Sequence, residues 1–152
     1  MLLSEALFGL PYEKQFARGK TIIQMKTLST QDRVEVLRKV QGLDLYAQTE
    51  AMKIPVLARS IMSINGQLLE NWNEVRDIKK QFPDMDIVIA KEQALEKMDD
   101  GGINIVYQDY LELVDEATKE REKLSKKASV PSKPDQSTNS AEPSEERPQE
   151  NS

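Results

Sequence analysis

Carboxylates are the only side chains in this sequence that are both plentiful and close enough together to suggest catalysis or cation binding. Asp84 with Asp86, Asp99 with Asp100, and Glu112 with Asp115 are the tightest pairs. A divalent cation needs several oxygens in a closed set, and none of these stretches has the alternating ligands of a calcium loop. Acids at a helix start complement the macrodipole, and Asp99-Asp100 precede Gly101-Gly102, a turn-forming pair. That glycine pair lacks the Lys-Ser/Thr of a phosphate-cradling loop, and no GxSxG elbow occurs. The chain has no His and no Cys. The commonest general base and metal ligand are therefore missing, together with disulfides, thiolate nucleophiles and sulfur-bound zinc. The expectation is a protein that is not an enzyme, with no catalytic residue, no metal ligand and no cofactor.

Charge narrows the partners. The 152 residues carry a net charge of −5. Nucleic-acid binding requires a positive surface that displaces counterions, so no nucleic-acid partner is expected. Lys79-Lys80 and Lys123, Lys126 and Lys127 are short clusters with acids nearby, which reads as solvated helix faces. No apolar run approaches the roughly 20 residues that span a bilayer. The start, MLLSE, lacks the basic residues and long apolar stretch of a signal peptide. No membrane partner is expected, and the protein should be soluble and intracellular.

What remains is apolar surface and the elements that would carry it. Residues 44–69 dominate. Ile54, Leu57, Ile61 and Ile64 recur at three and four, and Ala51, Ala58 and Met62 widen the stripe. The spacing predicts a central helix through Ile64, closed by Asn65-Gly66, with Pro55 kinking or splitting it near Ile54. Before it, Thr21, Ile23 and Met25 alternate with Ile22, Gln24 and Lys26 after Arg18-Gly19, the pattern of a β-hairpin. Ser29 to Asp32 signals a helix start, and that helix carries Val34, Leu37 and Val40 at core spacing. Asp44 caps the central helix. Asn71 with Glu74 forms a capping pair for a helix with Trp72, Val75, Ile78 and Phe82 inward. Another follows with Ile87, Ala94, Leu95 and Met98 inward, stopped by Asp99-Asp100-Gly101-Gly102. The last helix starts near Asn104 and carries Val106, Tyr110, Leu113, Val114, Ala117 and Leu124, with Glu120 three residues from Lys123. From Ser129 the composition is Pro, Ser, Glu and Gln, too polar to offset the ordering entropy.

The expected fold class is mainly α. A small helical bundle over 1–128 has a short N-terminal β-hairpin, and a disordered polar tail occupies 129–152. With few aromatics, packing rests on aliphatic side chains and on Met25, Met52, Met62, Met85 and Met98, whose flexible thioethers suit adaptable apolar surfaces. Two helix faces are candidates for partner binding: Leu57, Ile61 and Ile64, and Val106, Tyr110 and Val114. The same residues are by default core.

The order of these signals resembles a known family. An N-terminal strand leads to TLSTQDR at 27–33, then a short polar helix, then LARSIMSING at 57–66, then Trp72 and Glu74 and a helix ending Phe82-Pro83. Over roughly 21–97 this is similar to the tail assembly chaperones of long-tailed bacteriophages, including related baseplate-hub assembly proteins. Pro55, the long last helix and the Pro/Ser/Glu tail depart from that pattern. The resemblance implies a non-catalytic protein in the host cytoplasm that coats a phage tail protein, such as the tape-measure protein, and is displaced before the virion is complete. It also implies that a ribosomal frameshift can supply a C-terminal extension. The alternative is a minor virion component, a baseplate or neck adaptor. Oligomeric state is left open.

Overall fold

The computed structural model describes residue 7 and residues 9–129, the side chains of the last four excepted. The chain divides into two units, Met1–Ala117 and Thr118–Ser152. The described part of the second is helix from Thr118 to Ser129. The polar tail expected to be disordered lies outside the described residues beyond Ser129, as does most of the apolar start.

The first unit begins with β1 (Glu13–Arg18) and β2 (Thr21–Lys26), joined by Gly19-Lys20. Gly19 at φ +62° supplies the left-handed residue that a tight two-residue hairpin needs at its first position. The alternation in β2 is as expected: Ile23 and Met25 are buried while Ile22 is exposed. This hairpin is half of a larger sheet. Strands β3 (Ile61–Ile64) and β4 (Gln67–Leu68) extend it to four antiparallel strands in the order β1-β2-β3-β4. Mainly α holds for the described residues, but the helices pack against a sheet, and the expected bundle with only a hairpin is corrected.

The helices are α1 (Thr30–Lys39), α2 (Leu45–Ala51), α3 (Lys53–Ser60), α4 (Asn73–Gln81), α5 (Ile87–Leu95) and α6 (Asp100–Ser129). Two caps stand where the sequence puts them. Ser29 Oγ accepts from Asp32 N at 3.1 Å, and Asp44 Oδ1 from Ala47 N at 2.9 Å. Each satisfies a donor that the first helical turn leaves over.

The central helix is the main correction. The chain splits at Met52, so Pro55 falls in the first turn of α3, where its missing N–H costs no intrahelical bond. Helix α3 then stops at Ser60, and Ile61 turns extended (φ −70°, ψ 119°). The buried Ser60 hydroxyl donates to the Lys26 carbonyl at 2.7 Å, tying the helix end to β2. Asn65 (φ 52°) and Gly66 (φ 80°) are the two left-handed residues of a hairpin turn. Asn65 ties this turn to β2, accepting from Ile22 N through Oδ1 and donating its own N–H to Ile22 O, both at 2.8 Å. The pair that was to end a helix instead links two strands. Isoleucines at three and four fit a helix face, but β-branched side chains also suit a pleated sheet, and the turn decides between them.

Other expectations shift for similar reasons. In α1, Val36 and Val40 face the core, whereas Val34 and Leu37 stay exposed. Helix α4 begins after Trp72 with no side-chain cap, so the Asn71–Glu74 capping pair does not form. Phe82 and Met98 are about half exposed, and Leu124 is exposed too. Helix α6 starts four residues before Asn104, running through Gly101-Gly102, with Asp99 Oδ2 accepting from Gly101 N at 2.9 Å. The Glu120–Lys123 pair forms at 3.4 Å on an exposed surface.

One core joins the sheet, α3 and α6. Phe16, Ile23, Met25, Leu57, Ile61, Ile103, Val106 and Leu113 are all buried in it. A smaller cluster, Val75, Ile78 and Ala90, holds α4 to α5. Full burial of a side chain such as Leu57 or Leu113 contributes about 1.5–3 kcal/mol.

Candidate functional site

Beside that core an apolar cleft of about 470 Å³ opens, lined by residues of the sheet, α3, the turn and start of α4, the end of α5 and the start of α6. The sheet supplies Ile23, Ile61 and Ile64, and α3 supplies Leu57. The turn before α4 supplies Leu69 and Trp72, and the start of α6 supplies Ile103, Ile105 and Val106. Trp72 is fixed by its indole Nε1–H, which donates to the Gln67 carbonyl at 3.2 Å. Its polar edge is thereby satisfied, so the ring can present its apolar body to the cleft. Met98 (45% exposed) and Ile105 (54% exposed) stand at the mouth, where an apolar side chain in water gains by being covered.

Charge is confined to Arg18, Glu74 and Lys97 among the lining residues. Arg18 is already engaged. Its guanidinium grips both oxygens of Asp109, whose side chain is fully buried in α6. Hydrogen bonding to Asp109, then its negative charge, raises the guanidinium pKa further. Next to it Lys14 pairs with Glu116 and is held protonated chiefly by that hydrogen bond. These two pairs fasten β1 to α6, so the wall of the cleft does not depend on apolar packing alone. A fork-to-carboxylate contact fixes orientation as well as distance.

A further ionic group braces the opposite side of α3. Glu92 is buried in α5 and accepts from Arg59 at 2.7 Å and from Lys39 at 3.1 Å. Arg59 is itself only 6% exposed and also donates to the Pro55 carbonyl at 2.9 Å. A buried guanidinium with a carboxylate and a carbonyl for company is satisfied, and losing either would leave charge without solvent.

Four of the six residues proposed from sequence for partner binding meet in the cleft: Leu57, Ile61, Ile64 and Val106. They come from a helix, a strand and a second helix, so they share a site although they do not share a helix face. Leu57 and Ile61 are 0% and 5% exposed, which makes them floor; Ile64 is partly buried. Tyr110 and Val114 do not line the cleft. Tyr110 is buried with its ring stacked on Tyr107, centroids 5.9 Å apart, and Val114 packs partly buried against the same core. Burial pushes the Tyr110 hydroxyl up to about 12 and raises Tyr107 as well. The sequence places Ile103 in the glycine break before the last helix and gives Ile105, inside that helix, no inward role; both line the cleft. Sequence reasoning missed Asp109 and Glu92 because nothing in a pattern of charges separates an anchored acid from a solvated one.

The cleft presents a largely apolar lining, with charge only at Arg18, Glu74 and Lys97. Its lining holds no hydroxyl or amine hydrogen-bonded to a base, the arrangement that activates a nucleophile. Among the described residues no group of three or more acidic side chains is placed to hold a metal ion. Among them, too, no helix is long and apolar enough to cross a membrane. Comparison of the chain with protein-family models, with curated proteins and with solved structures gives no match.

Proposed function

We propose that this chain is a non-catalytic assembly chaperone of a tailed bacteriophage. In this reading it holds an apolar segment of a tail protein, such as the tape-measure protein, during virion morphogenesis in the host cytoplasm. The observation that carries the binding half is the cleft itself: about 470 Å³, apolar across its floor, with exposed Met98 and Ile105 at its mouth. A volume in that range suits a few side chains of a partner segment, and the flanking charges allow weak, reversible contact. The phage half rests on the resemblance of residues 21–97, above all LARSIMSING at 57–66.

Two measurements test it. Mass spectrometry of purified particles against infected-cell lysate should find the product abundant in lysate and depleted from particles. Abundance in particles would replace the chaperone reading with a virion component. A pull-down with the tagged full chain should recover a long helical tail protein, and the mouth variant Met98→Asp/Ile105→Asp should lose it. Recovery unaffected by that variant would remove the cleft as the binding site.

A further inference from the structure

Asn65-Gly66 is the one Asn-Gly pair in the sequence, and both residues are exposed at the turn between β3 and β4. Such a pair carries its own electrophile and nucleophile: the side-chain amide carbon of the first residue and the backbone nitrogen of the second. Glycine has no Cβ to shield that nitrogen. Apart from its chain neighbours, nothing lies within 4 Å of the place a Cβ on Gly66 would occupy. What restrains the pair is the fold. The Asn65 side chain is aimed at β2, where Oδ1 accepts from Ile22 N at 2.8 Å, and its backbone N–H donates to Ile22 O at the same distance. Cyclisation needs the amide carbon turned onto the following peptide and in contact with Gly66 N. An amide tethered to Ile22 is not free to make that turn.

The tether is only as strong as its surroundings. Strand β4 has two residues, forms one edge of the sheet, and is pinned from beyond by the Trp72 indole on the Gln67 carbonyl. Short edge elements open locally at lower cost than the core does. We infer that Asn65-Gly66 is a self-modification site gated by the opening of this hairpin. When the turn opens, Gly66 N attacks Asn65 Cγ and the bond from Cγ to the amide nitrogen breaks. Ammonia leaves with the proton that Gly66 N gives up. Water then opens the cyclic imide at either carbonyl, giving aspartate or isoaspartate, whose backbone runs through the side-chain carbon. Water is taken up and ammonia released, with no change of oxidation state. Isoaspartate adds a backbone methylene to a two-residue turn, so the pairs Ser63↔Leu68 and Ile64↔Gln67 cannot both keep register. Ile64, Leu69 and Trp72 flank that turn and line the cleft, so the modification loosens the cleft wall.

Incubation of the full chain at mildly alkaline pH, with peptide mapping to place the gain of one mass unit at Asn65, tests this. The expected result is steady conversion in native buffer, at least about tenfold slower than in concentrated urea. Trp72→Phe removes the indole donor and leaves both reacting groups intact. It should speed native conversion about two- to tenfold, the worth of one hydrogen bond, and leave the rate in urea unchanged. The isoaspartate form of the unmutated chain, isolated by chromatography, should show red-shifted emission from Trp72, the single tryptophan, with its helical circular dichroism retained. Coinciding native and urea rates, no conversion at Asn65 in the folded chain, or a native rate indifferent to Trp72→Phe would each overturn the inference. Unchanged Trp72 emission in the isoaspartate form would overturn the effect on the cleft.

Discussion

Residues 54–64 and residues 34–40 carry the same kind of pattern, aliphatic side chains three and four apart, and the fold treats them in opposite ways. In the first, Leu57 and Ile61 are 0% and 5% exposed; in the second, Val34 and Leu37 are 40% and 51% exposed. Helix α1 turns Val36 inward instead, and of the three expected inward residues only Val40, at its C-cap, is buried. Spacing therefore specifies which residues share a face and leaves open whether anything is packed against it. Val34 with Leu37 competes with Val36 in α1, and the winner is the residue that meets the core shared by the sheet, α3 and α6.

The contrast can be broken by mutation. Leu57→Ala should cost about 2–5 kcal/mol, read from urea unfolding, because it removes a fully buried side chain that joins the core to the floor of the cleft. A loss below about 1 kcal/mol would mean that the cleft collapses onto the gap and that its floor is soft. The two tyrosines sharpen the comparison from the α6 side. Their folded pKa values lie above the ordinary phenol value, with Tyr110 at about 12. The native state then holds protons that the unfolded chain has released, so the stability they contribute is whole below about pH 10 and falls as pH rises toward 12. The slope is at most about 1.4 kcal/mol per pH unit for each tyrosine. Melting temperature should drop over that window, and Tyr110→Phe should flatten the drop. An unchanged profile in Tyr110→Phe would show that another group drives the transition. The smallest effect belongs to Leu37→Ala, expected within about 0.5 kcal/mol. A loss as large as that of Leu57→Ala would mean that α1 is packed differently from what its exposure indicates.

Local signals were readable wherever one residue or turn type is sufficient. Ser29 and Asp44 cap their helices, and the β2 alternation puts Ile23 and Met25 inside. The Asn65-Gly66 pair was visible too, yet its meaning depends on what flanks it. After a helix it can terminate; between two extended segments it makes a hairpin, and β2 was already present to receive β3. Gly101-Gly102 misled in the opposite direction. Glycine weakens a helix interior, but near the first turn Asp99 satisfies a free donor and the helix begins there.

By itself, the sequence determined the Ser29 and Asp44 caps, the first hairpin, the acidic surplus and the lack of imidazole and thiol chemistry. Each of these depends on a residue's own covalent nature or on neighbours within a few positions. Tertiary structure decided that Ile61 and Ile64 form a strand and that Leu57 joins Val106 across a cleft. It also decided that Asp109 and Glu92 are anchors, and that Val34 and Leu37 are left outside. Those outcomes depend on which distant surfaces meet. Burial, pairing of charge and closure of a sheet are properties of two elements at once, and neither element encodes them alone.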